Sequence, residues 1–140
     1  GFKMYKYDFI GDYFEGFATV RIGNKWGFID CNGYEICEIK YDNVYFFDNG
    51  FACVRIGNKW GFINRQGQEI CEIKYDGVAD FSEGFASVRI HKKWGFINTS
   101  GKEICDIKYD GVRWFDGGLA NVLLCDNKGK IDGDGNEFWG

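Results

Sequence analysis

Proline is absent from this 140-residue chain, histidine and methionine occur once each, and the 17 lysines and arginines fall short of the 21 aspartates and glutamates. Each shortage excludes a class of function. With His91 as the sole histidine, neither a His-based catalytic triad nor a two-histidine metal motif can be built. The six cysteines include no CxxC pair, which removes zinc-ribbon and thioredoxin signatures. A net charge of −4 supplies no clustered basic face for a phosphate backbone, so nucleic acid is excluded as a partner. No apolar run approaches the roughly 18–20 residues of a membrane span, and Gly1 to Lys6 lacks a signal-peptide core, so no membrane insertion is expected. There is no P-loop and no glycine-rich loop opening a helix. Asp132 to Glu137 starts like a calcium loop, but Glu137 falls sixth where glycine is needed, and it reads as a polar turn. The chain is expected to be no enzyme and to carry no metal or cofactor.

What it has is aromatic residues, 19% of the chain, and 21 glycines, a mixture that suits strands and tight turns. They are ordered. Trp26, Trp60 and Trp94 lie 34 residues apart; Tyr7, Tyr41, Tyr75 and Tyr109 share that spacing, as do Gly27, Gly61, Gly95 and Gly129. Tandem helix pairs also use periods near 34, but here each unit carries fixed glycines costing about 0.5–1 kcal/mol apiece in a helix, and β-formers fill the intervals. The period is therefore expected to be a β unit.

Alternation defines the strands. In Phe17 to Ile22, residues Ala18, Val20 and Ile22 share one face and Thr19 and Arg21 the other. Gly23-Asn24, repeated as Gly57-Asn58, supplies a two-residue hairpin turn, and Lys25 to Ile29 returns as the second strand. An Asx turn at Asp30 to Gly33 follows. Tyr34 to Tyr41 is then expected to be a third strand with Cys37, Ile39 and Tyr41 on one face, and Asp42 to Asn49 a connector whose Phe46-Phe47 plugs the core. Cys37, Cys71 and Cys105 recur at one phase, as do Tyr41, Tyr75 and Tyr109, so both series read as structural core rather than as a disulfide framework. Free thiols favour a reducing, cytoplasmic location; a secreted or surface location stays open if a leader has been removed.

Lys25-Trp26-Gly27-Phe28-Ile29-Asp30, repeated at Lys59 to Asn64 and Lys93 to Asn98, resembles the WG (KWG) repeat family of bacterial proteins. The Gly-Phe-Ala-x-Val before it and the Tyr-Asp-x-Val after it match that family's unit as well. Two departures stand out: no proline precedes Tyr-Asp, and Lys128 and Lys130 replace the signature Trp and Phe in the fourth unit. The resemblance implies a non-catalytic β scaffold with no active-site residues to transfer.

A single repeat domain over residues 1–140 is expected, with all-β units of about three strands at roughly 7–40, 41–74, 75–108 and 109–140, the last a degenerate cap. Four units could form an open β-hairpin stack or close into a propeller-like ring. A ring keeps every interface apolar, whereas Lys128 and Lys130 make a polar terminus, which favours the open stack. Residues 2–8 align with the third strand of later units, and Glu137-Phe138-Trp139 aligns with Glu35 to Cys37, so that position recurs at both ends. The row Arg21, Arg55 and Arg89 is the candidate binding face of a protein-interaction scaffold, because guanidinium groups grip carboxylates in a fork. The alternative is a carbohydrate or cell-envelope binding module in which Trp26, Trp60 and Trp94 stack on sugar rings, with Phe28, Phe62 and Phe96 beside them.

Overall fold

The computed structural model describes residues 6–140 as an all-β chain of four antiparallel sheets in sequence order. The part of the aligned N-terminal strand at residues 2–5 lies outside the described residues. The first sheet comprises β1 (Phe9–Phe14), β2 (Phe17–Ile22) and β3 (Lys25–Asp30). The second has β4 (Asn43–Val44), β5 (Ala52–Ile56) and β6 (Lys59–Ile63), and the third β7 (Gly77–Val78), β8 (Phe85–Ile90) and β9 (Lys93–Asn98). The fourth holds β10 (Gly111–Val112), β11 (Leu119–Leu124), β12 (Asn127–Asp132) and β13 (Glu137–Trp139). The sheets stack as an open array. No hydrogen bond among the described residues joins the first sheet to the last, and aromatic side chains stand exposed at both ends.

Alternation decides what each sheet buries. On β5, Ala52 and Val54 face back toward the first sheet and pack with Phe28 and Phe47, while Cys53 faces forward and packs with Tyr75, Phe81 and Val88. Each sheet thus contributes one face to the core behind it and the other to the core ahead. Phe28, Phe62 and Phe96 are each 0–1% exposed in these interfaces, and each meets the aromatic ring of the following unit, Phe47, Phe81 or Phe115, edge-on at 5.0 Å.

The third strand expected at Tyr34 to Tyr41 does not form. The segment bridges β3 at only two points, Glu35 opposite Ile29 and Tyr41 opposite Trp26, so five residues cover the span of Gly27 and Phe28 and must bulge. Ile39 crosses directly over Gly27, where an added Cβ would lie 2.9 Å from its Cγ1. That crossing explains why glycine follows tryptophan in the first three units, where Ile39, Ile73 and Ile107 cross over Gly27, Gly61 and Gly95. In the fourth unit the same segment runs straight as β13, with Trp139 over Gly129. The expected connector supplies the sheet's short strand instead: Asn43 and Val44 pair with Arg55 and Val54, and Phe47 is buried while Phe46 is exposed.

Two polar clamps tie neighbouring sheets. Tyr41 donates to Glu69 at 2.7 Å and Tyr75 to Glu103 at 2.7 Å, with Lys40 and Lys74 completing each carboxylate at 3.0 and 3.2 Å. Tyr7 with Glu35 and Tyr109 with Glu137 repeat the arrangement. Burial pushes the Glu69 carboxyl up, but the donors Tyr41 and Lys40 outweigh it and leave its pKa below the usual value. Asp42 makes the second clamp, accepting from the Gly57 amide at 2.6 Å and from Lys25 at 2.5 Å. Asp76 does the same with His91 and Lys59, and Asp110 with Cys125 and Lys93.

These aspartates set an acid limit. The lysine donors, then the turn amides, hold Asp42, Asp76 and Asp110 below the usual carboxylate range, Asp76 at about 2. A carboxyl whose pKa is lower folded than unfolded stabilises the fold above the unfolded value of about 3.9, and that contribution is lost as pH falls through the folded value. The melting temperature should therefore be flat above about pH 5 and drop between about pH 4 and 2. Calorimetry of Asp76→Asn should show a lower starting value and a shallower drop; an unchanged acid profile would remove the clamp from the account.

Candidate functional site

The four units differ at their exposed turns and at a set of positions on the sheets, and three of the latter come together in space. Gly11, Tyr45, Ala79 and Arg113 occupy one repeat position, Asp12, Phe46, Asp80 and Trp114 the next, and Thr19, Cys53, Ser87 and Asn121 a third. The backbone fixes the first against the third: the amides of Tyr45, Ala79 and Arg113 donate to the carbonyls of Cys53, Ser87 and Asn121 at 2.9–3.0 Å. These residues line grooves where one sheet meets the next. Between the first two sheets, Phe9, Asp12, Phe14, Trp26, Tyr45 and Phe46 enclose about 270 Å³. Between the third and fourth, Asp80, Ser87, Trp94, Arg113 and Trp114 line about 160 Å³.

The middle junction is filled by its own side chains. Tyr45 lies flat on Trp60, with ring centroids 5.2 Å apart and an interplanar angle of 2°. Below it Cys53 is buried with its Sγ 4.0 Å from Asp80, and burial pushes that thiol well above its usual pKa. Asp80 is also raised, first by partial burial and then by the neighbouring Asp48.

The aromatic edges are what the grooves offer a ligand. Phe14 stacks on Phe46 at 4.4 Å, Phe9 meets Trp26 edge-on at 5.7 Å, and Tyr45, Phe46 and Trp114 are 53%, 53% and 66% exposed. Trp26, Trp60 and Trp94 are half-buried, with one side of each indole turned to its junction.

The arginine row is engaged with its own hairpins. Arg21, Arg55 and Arg89 each lie 5.8 Å from the centroid of the cross-strand tryptophan, and each donates to the carbonyl of the adjacent hairpin turn. Arg89 donates in addition to the Asp76 carbonyl at 3.0 Å. Tyr41, Tyr75 and Tyr109 are 0–1% exposed. Cys37, Cys71 and Cys105 are only half-buried, packed at the rim of the inter-sheet cores, and burial raises all three thiols, Cys37 to about 11. All six cysteines are free. The sequence reading missed the groove positions: they are among the places where otherwise repeating units disagree, but the exposed turns disagree as much, so the difference alone does not mark them.

No group of three or more His, Cys, Asp or Glu side chains suited to a metal lies among the described residues, and none of their helices is long and apolar enough to cross a membrane. The described residues form an all-β repeat array.

The family described as WG containing repeat matches residues 5–26, 26–60, 60–94 and 94–128. Among solved structures, Kluyveromyces lactis Hsv2 with loop 6CD replaced by a Gly-Ser linker is similar at 15% identity and a TM-score of 0.54, covering 91% of this chain and 50% of that one. Kluyveromyces lactis Hsv2 with the complete loop is similar at 14% identity and a TM-score of 0.52, covering 98% and 52%. The chain thus spans about half the length of the Hsv2 chains it matches, and the likeness is one of fold alone. A plant lectin from Cicer arietinum, with 11% identity and coverage of 94% and 91%, superposes at a TM-score of only 0.34, too loosely to align sites. Comparison with curated proteins gives no match.

Proposed function

Since the chain belongs to the WG-containing repeat family, we propose that it acts as a binding module for glycans, which lie in the grooves between successive units. One observation carries this reading. The grooves between units are walled by exposed aromatic rings, among them Phe9, Phe14, Tyr45, Phe46 and Trp114. These walls differ between units, as the Asx turns at Cys31, Arg65, Thr99 and Gly133 also do, whereas the clamps and core repeat almost unchanged. Large aromatic rings left open to water and gathered in a groove point to contact with something outside the fold. Aromatic walls beside hydroxyl and carboxylate groups such as Ser87, Asp12 and Asp80 suit a saccharide, whose rings have apolar faces and polar edges. A glycan is favoured over a protein partner because the arginines best suited to gripping acidic side chains are held by their own turns.

The test is a titration of tryptophan fluorescence with cellotetraose, chitotetraose and mannotetraose. At least one is expected to shift the emission and to protect it from acrylamide. Phe46→Ala and Trp114→Ala remove exposed rings, leave the core intact, and should weaken binding about three- to tenfold, the range expected of one aromatic contact. Absence of any response at millimolar sugar, or variants that bind like the parent, would sink the glycan reading.

A further inference from the structure

The forward face of the last unit has the groove positions of the others but a different chemistry. Arg113 stands where Gly11 does, Trp114 where Asp12 does, and Lys128 and Lys130 replace the signature Trp and Phe. Arg113, Trp114, Asn121 and Lys128 line an open cavity of about 680 Å³. Lys130 joins them in an adjoining hollow of about 250 Å³, whose one carboxylate is Asp116. All three cations are exposed, and none has a salt-bridge partner among the described residues, whereas Lys6, Lys25, Lys40, Lys59, Lys74, Lys93 and Lys108 are all paired. Arg21, Arg55, Arg65, Arg89, Lys92 and Lys102 lack a salt bridge as well, and Lys128 also borders a cavity with Asp126 and Glu137. What sets Arg113, Lys128 and Lys130 apart is that the three line adjoining hollows together.

The face is also unsuited to receiving another unit of the same kind. Lys130 occupies the place of Phe28, Phe62 and Phe96, which are 0–1% exposed beneath the following sheet. Packing a sheet there would bury an ammonium group without a partner, at a cost of several kcal/mol. A solvated anion meets no such penalty.

Resting on the glycan reading above, we propose that this terminal groove binds the carboxylates of an acidic saccharide, a hexuronate chain. Lys128 and Lys130 lie two residues apart on one face of β12, about 7 Å along the strand, and address successive acid groups. The Arg113 guanidinium, whose backbone is pinned to Asn121 at 2.9 Å, matches a planar carboxylate with two parallel donors. Trp114, 66% exposed beside it, offers the ring face on which the apolar side of the same sugar rests. The charge complementarity, together with this platform, selects an acidic sugar over a neutral one.

The probes are tetragalacturonate and its fully methyl-esterified form, which keeps the rings and removes the charge, with hexaglutamate as a non-sugar acid. Tetragalacturonate should bind at least tenfold tighter than the ester in low salt, with the ratio shrinking as sodium chloride rises. The triple variant Arg113→Gln, Lys128→Gln, Lys130→Gln changes only exposed side chains and should erase the ratio. It should leave untouched any neutral-sugar response sensitive to Phe46→Ala. Equal binding of acid and ester, or a ratio that survives the triple variant, overturns the proposal while neutral-sugar binding keeps the general reading alive. Hexaglutamate binding as tightly as tetragalacturonate would also overturn it, since the groove would then recognise charge without sugar. Failure of every saccharide, neutral and acidic, brings down both.

Discussion

Gly67→Ala should unfold the chain or nearly so, whereas Gly33→Ala, the same substitution in the same turn one unit earlier, should cost only about 1–2 kcal/mol. Both glycines close an Asx turn with positive φ, 77° and 85°, so the left-handed backbone penalty is common to the pair. Their surroundings separate them. A Cβ on Gly33 meets nothing within 4 Å, but on Gly67 it would lie 1.8 Å from the carbonyl oxygen of Ile36 in the preceding unit. That oxygen belongs to the bulged segment already held over Gly27, so neither side can retreat without breaking the crossing that joins the sheets. Overpacking against a side chain costs about 1–3 kcal/mol because the side chain can turn away; backbone cannot, and the whole domain has about 5–15 kcal/mol to lose. Denaturant unfolding of the two variants measures the difference. Equal destabilisation would mean that the contact between turn and bulge is not part of the fold.

The same contact shows where the sequence was legible and where it was not. The 34-residue period, the hairpin of β2 and β3 and the Asx turn at Asp30 rest on local chemistry, namely alternation, turn glycines and an Asx side chain, and each could be read from a few adjacent residues. The open stack also followed from two residues, Lys128 and Lys130, because an ammonium group at an interface position speaks against closure. Tyr34 to Tyr41 misled because its alternation is real while its path is not that of a strand. It must pair with β3 at both ends and yet pass over Gly27, a demand that comes from tertiary structure. The Tyr41 and Glu69 clamp spans 28 residues, and nothing local marks those two as partners. The arginine row was visible as a pattern, but its engagement by turn carbonyls depends on side-chain direction within each hairpin.

Phe62→Ala, at the central interface, should cost about 3–5 kcal/mol, the range for deleting a buried aromatic ring. Phe62 is 1% exposed and meets Phe81 edge-on at 5.0 Å, while Phe51 stacks on the same Phe81 at 4.1 Å. Removing it leaves Phe81 without one of the two rings that hold it and opens a cavity between the second and third sheets. In an array whose units touch only their neighbours, stability is a sum of unit and interface terms, so weakening the middle interface damages cooperativity as well as stability. Heat or urea should then resolve two transitions, or one broadened transition with a reduced denaturant slope, because each half still has its own interface, built around Phe28 and Phe47 on one side and Phe96 and Phe115 on the other. Phe138→Ala supplies the comparison, since that ring is 52% exposed on the last strand and should change stability by no more than about 0.5 kcal/mol. A Phe62→Ala protein that still melts in one sharp step with an unchanged slope would show that the four sheets cooperate through something other than nearest-neighbour packing.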